Sequence, residues 1–89
     1  MKLKKDYVLR QAAGVWVVLP LGEEAVNFSG MLKLNDSGVM LWRALEQGGD
    51  KNALVETLTK EYDVSLQQAQ TDVDEFLSAL MQYGCITEL

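Results

Sequence analysis

The groups best placed to do covalent chemistry in this 89-residue chain are few. There is one thiol, Cys85, an acidic pair, Glu23-Glu24, and one crowded acidic turn, Asp72, Asp74 and Glu75. A catalytic thiol needs a cationic or helix-N-terminal setting to lower its pKa. Cys85 instead follows Gly84 at the end of a helical pattern, in an acidic stretch, and reads as a small packing residue. Glu23-Glu24 sits beside Gly22 in a turn, where paired carboxylates lack the burial that would set them to acid–base work. The acidic turn lacks the D-x-[DN]-x-[DN]-G spacing of a calcium loop and reads as a solvated helix face. Ser29-Gly30 and Gly48-Gly49-Asp50 are too short for phosphate loops, and no Lys follows in register.

The chain contains no histidine, which excludes Ser-His-Asp and Cys-His nucleophilic machinery and any His-ligated metal. A single cysteine likewise excludes an internal disulfide and a Cys-cluster zinc site. These absences argue against an enzyme and for a binding module that uses no cofactor.

Composition is that of an ordinary folded domain, 48% apolar and 24% charged. The longest apolar run, residues 15–21, contains Pro20 and is far too short to span a bilayer. Residues 2–6 lead into an alternating pattern with no apolar targeting segment, so the expected location is cytoplasmic, away from membranes. The net charge of −5 is unevenly placed. Residues 1–60 hold all eight Lys/Arg against seven acids, and residues 61–89 hold six acids with no base.

The elements that must position any site change character near Asn35. Before it, Tyr7 to Ala12 and Val15 to Leu19 read as strands joined by Ala13-Gly14 in a hairpin. Residues 25–28 and 31–34 are two short alternating runs around Ser29-Gly30, a second hairpin or a kinked strand. Trp16 and Val18 alternate with Val15, Val17 and Leu19, so helices covering one side alone would leave the other as exposed apolar surface.

After Asn35 the period is helical. Asn35 or Asp36 caps a first helix carrying Val39, Leu41, Trp42 and Leu45, which stops at Gly48-Gly49. Asp50 caps a second with Leu54, Val55, Leu58 and Tyr62 on one face. Ser65 and Gln68 form a capping box ahead of a third, whose stripe is Leu66, Ala69, Val73, Phe76, Leu77, Leu80 and Tyr83, ended by Gly84. Strands followed by three helices predict a single α+β domain over residues 1–89, a small antiparallel sheet covered by helices.

Leu34-Asn35-Asp36-Ser37-Gly38 followed by Leu41-Trp42-Arg43-Ala44-Leu45 resembles the Leu-Asn-x-(Thr/Ser)-(Gly/Ala)-x-x-(Ile/Leu)-Trp-x-x-Leu signature of the PqqD family (pyrroloquinoline quinone biosynthesis protein D and relatives). The resemblance continues through Glu61-Tyr62-Asp63-Val64 and ends in Ala69-Gln70-Thr71-Asp72-Val73-Asp74-Glu75-Phe76-Leu77. Residues 7–23 look like one branch of the same family, so it covers nearly the whole chain. It implies a RiPP recognition element, a winged-helix-like domain with about three strands and three helices. Such domains bind the leader segment of a ribosomally made precursor peptide and present it to a modifying enzyme, for PqqD a radical S-adenosylmethionine (SAM) enzyme. The leader adds a strand to the sheet edge and packs on the third helix.

Edge-strand addition draws affinity from main-chain hydrogen bonds and needs no catalytic side chain. The preferred edge is Met31, Leu32, Lys33 and Leu34, with residues 25–28 as the second choice because the sheet order is open. On the third helix, Phe76, Ala79, Leu80 and Tyr83 form a stripe wide enough for both core and cleft, and Asp72 and Glu75 could meet a cation on the leader. A winged-helix DNA-binding role fits the element order, but a third helix without Lys or Arg is repelled by phosphates. An interaction domain of the same fold without a leader role also fits these residues, and a stand-alone enzyme fits them least. An exposed edge also allows a homodimer.

Overall fold

The computed structural model describes residues 3, 4, 6–22 and 32–86. The Glu23-Glu24 pair, the 25–28 run and the Ser29-Gly30 turn lie wholly outside them, and Met31 does as well. The fold is α+β. A three-stranded antiparallel sheet of β1 (Tyr7–Ala12), β2 (Val15–Pro20) and β3 (Leu32–Leu34) precedes α1 (Asp36–Glu46), α2 (Lys51–Glu61) and α3 (Leu66–Gln82).

The β1–β2 hairpin closes on the two-residue turn Ala13-Gly14, with Val15, Val17 and Val18 favouring the extended β2, and pairs Tyr7 with Pro20 through to Ala12 with Val15. Ala13 and Gly14 both have positive φ, 52° and 80°, the requirement of a primed turn whose twist matches the strands. β3 pairs with β2 in the register Trp16–Leu34, Val17–Lys33, Val18–Leu32. The strand order β1-β2-β3 makes β3 a terminal strand among the described residues.

Each helix begins at a side-chain cap. Asn35 accepts from the Gly38 N–H at 2.9 Å, Asp50 from the Ala53 N–H at 2.9 Å, and Ser65 from the Gln68 N–H at 3.1 Å. The Ser65–Gln68 box is only half made. The Gln68 side chain donates instead to Asp72 Oδ1 at 2.8 Å, one turn on, where it meets a carboxylate rather than a neutral backbone group. α1 and α3 end alike: Gly48 and Gly49 donate to the Leu45 and Ala44 carbonyls, and Gly84 and Cys85 to those of Met81 and Leu80. Gly84 stands at φ 79°, the left-handed conformation this helix ending needs.

The core lies between one sheet face and the three helices, centred on Val18, Trp42, Leu54, Val73, Leu77, Leu80, Cys85 and Ile86. The C-terminal extension is tied back by an isolated Leu3–Ile86 bridge, by the Lys4 N–H donating to the Cys85 carbonyl at 2.8 Å, and by the Tyr7 hydroxyl donating to the Tyr83 carbonyl at 3.0 Å.

Three packing expectations need correction. Leu66 is 61% exposed rather than part of the α3 stripe, because as the first helical residue it precedes the turn that docks. Tyr62 is the C-cap of α2 in extended conformation, and leaves that helix's apolar face. The outer sheet face is not one apolar patch. Val15 is 41% exposed there, but Val17, in the same face, is 4% exposed.

Candidate functional site

α3 carries two stripes offset by one residue. Ala69, Val73, Leu77 and Leu80 are buried in the core. Asp72, Glu75, Phe76 and Ala79, at the i, i+3, i+4, i+7 spacing of a single helix face, lie beside it. This second face forms one wall of a cleft of about 660 Å³. β3, from Leu32 to Leu34, forms the opposite wall, and Asn35, Ser37, Gly38, Leu41 and Leu58 complete the lining.

The strand wall is placed by the same motif that starts α1. Leu34 ends β3, Asn35 caps the helix, and the Ser37 hydroxyl donates to Asn35 Oδ1 at 3.0 Å. Period-two geometry sends Leu32 and Leu34 toward the core side, where both pack on the hydrophobic cluster, and leaves Lys33 exposed on the outer face. Trp16, paired with Leu34, packs on the same cluster with the Arg43 guanidinium 5.8 Å from its ring centroid.

Of the ten residues the sequence nominates, seven come together here: Leu32, Lys33, Leu34, Asp72, Glu75, Phe76 and Ala79. Leu80 is fully buried beneath the helix and does not line the cleft. Phe76 and Leu80 are i and i+4 and share a helix side, but the way α3 docks turns Leu80 into the core with Val73 and Leu77 and leaves Phe76 at the cleft. Tyr83 lies past the end of α3, half-buried against the core beside Tyr7. Met31 is outside the described residues. Sequence reasoning missed Asn35, Ser37, Gly38, Leu41 and Leu58 as lining. Four of them belong to the Leu34–Gly38 motif and its helical continuation, whose closeness to β3 is the available signal.

The cleft's titratable lining residues are Lys33, Asp72 and Glu75, and Glu75 makes no ion pair among the described residues. Cys85 does not line it, and burial pushes the thiol up to about 11, with nearby Lys4 opposing in part. No group of three metal-ligating side chains occurs among the described residues. No described helix is long and apolar enough to cross a membrane.

The family model described as coenzyme PQQ synthesis protein D (PqqD) matches residues 15–86, from the first residue of β2 through the Leu3–Ile86 bridge. No curated protein matches the chain. Two solved structures share the fold. TbiB1 in complex with the TbiA(beta) leader peptide aligns at 24% identity and a TM-score of 0.81, covering 100% of this chain and 98% of its own. Lasso peptide synthetase B1 complexed with the leader peptide aligns at 23% identity and 0.74, covering 93% and 92%.

Proposed function

The chain belongs to the PqqD family, and we propose that it binds the leader segment of a ribosomally synthesised precursor peptide and presents it to a modifying enzyme. The observation that carries this reading is a terminal strand and a half-exposed helix face enclosing one cleft: β3 on one side, and Asp72, Glu75, Phe76 and Ala79 on the other. An extended peptide laid along β3 gains main-chain hydrogen bonds, and its alternate side chains enter the cleft between Leu34, Leu41, Leu58 and Phe76. Backbone pairing supplies affinity and the cleft supplies selection. Both structural neighbours were solved with a leader peptide bound, which supports the same occupant here.

In this reading residues 1–89 act as one peptide-binding domain, non-catalytic and free of cofactor, in the cytoplasm. The reaction belongs to a partner, a radical SAM enzyme by the family resemblance. α3, without Lys or Arg, is unsuited to a nucleic-acid backbone. A homodimer built on β3 would occupy the edge the leader needs, so dimer and complex compete.

Isothermal titration with the leader segment of the cognate precursor peptide tests the proposal. Saturable binding at micromolar concentration or tighter is expected. No heat from the leader, with tight and steeply salt-dependent binding of duplex DNA instead, would overturn it.

A further inference from the structure

The two walls of the cleft carry opposite charge, and they meet different faces of whatever strand lies between them. On the outer face of the sheet, the pairings Arg10–Val17 and Val17–Lys33 form one cross-strand row with a cation at either end. A further strand beside β3 places its next outward residue in that row, directly against Lys33. On the helix side, the same strand's inward residues face Asp72 and Glu75. α3 has no cation to balance them. The Lys51–Asp74 ion pair joins α3 to α2 and leaves both of these carboxylates out.

Resting on the leader-peptide reading above, we propose that the occupant of this edge is a strand of alternating charge, with an acidic residue outward beside Lys33 and a basic residue inward beside Asp72 and Glu75. Lys33 is then the residue that sets register. A one-residue slip turns every side chain of the peptide to the opposite face, bringing its base to Lys33 and its acid to Glu75. The same rule disfavours a second copy of this chain. The antiparallel self-pairing that uses all three β3 residues sets Lys33 against Lys33.

The test is a charge-swap titration on the whole chain. Wild type, Lys33→Glu and Glu75→Lys are each titrated with the precursor's leader peptide, and with leaders carrying one acid exchanged for lysine or one base for glutamate. Both side chains are exposed, and circular dichroism melting confirms that the variants fold as wild type does. Each protein variant is expected to weaken the unmodified leader about 3- to 10-fold, the range for rim charge pairs lost and turned repulsive. One acid-to-lysine leader restores binding to Lys33→Glu, and one base-to-glutamate leader restores it to Glu75→Lys. If the unmodified leader binds wild type and both variants equally, or neither swap rescues, the charge rule is wrong while the leader reading stands. If the leader does not bind wild type at all, both fall together.

Discussion

Gly38 lies so close under Leu34 that a Cβ built on it would meet Leu34 Cβ and Cδ2 at 3.3 Å, and Asn35 Oδ1 at 3.2 Å. The last residue of the edge strand thus rests on the first turn of α1, and the helix cap and the cleft wall are one packed unit. Replacing Gly38 with valine forces this contact apart. The expected cost is about 1–3 kcal/mol, as for other overpacked sites, with leader affinity falling alongside. Thermal melting and titration of Gly38→Val check both, and an unchanged melting temperature would show that the contact can relax freely.

Ala79 separates binding from folding. It lines the cleft, half-buried, on the face of α3 next to the core stripe. Arginine at this position fills the space between helix and strand while its head reaches solvent. Ala79→Arg should lower leader affinity tenfold or more, on the order of 1.4 kcal/mol, and leave the melting temperature within a few degrees of wild type.

The Cys85 thiol should be inert while the protein is folded. With its pKa raised to about 11 and its side chain sealed in the core, it offers almost no thiolate at pH 8. A thiol-directed reagent is expected to react only in denaturant. The folded value lies above the ordinary value of 9.0, so the unfolded chain loses this proton first as pH rises. Its contribution to stability is complete below pH 9.0 and declines as the pH approaches about 11. Cys85→Ala should flatten that part of a stability-versus-pH curve.

The Tyr7 hydroxyl joins the first strand to the end of the last helix through the Tyr83 carbonyl. Tyr7→Phe removes this bond and keeps the ring in the core. A loss of about 0.5–1.5 kcal/mol is expected, with leader binding intact because the cleft lies elsewhere. Denaturant unfolding of the variant measures it.

Much of this organisation is legible in the residues because local chemistry decides it. Ala13-Gly14 marks the hairpin, and Asn35, Asp50 and Ser65 mark the helix starts, since each supplies the acceptor that free backbone N–H groups require. The misreadings come where two local options compete or where tertiary packing chooses. Gln68 is placed to complete the capping box at Ser65, yet its side-chain amide donates forward to the Asp72 carboxylate. Leu66 satisfies the helical period, yet sits at the exposed end of its helix. Phe76 and Leu80 are both apolar and four residues apart, which suggests one stripe. Only the docking angle of α3 reveals that Leu80 faces the core while Phe76 turns toward β3. Leu41 and Leu58 read as plain core positions until the strand is placed above them.

Whether a leader peptide adds a strand to β3 and rests on α3 is decided by amide chemical-shift mapping of the labelled chain. Addition of the leader should shift the amides of Leu32, Lys33 and Leu34 together with those of Asp72, Glu75, Phe76 and Ala79, and should slow hydrogen exchange along β3. Shifts confined to β1 or to the exposed face of α2, with β3 exchanging as before, would contradict it.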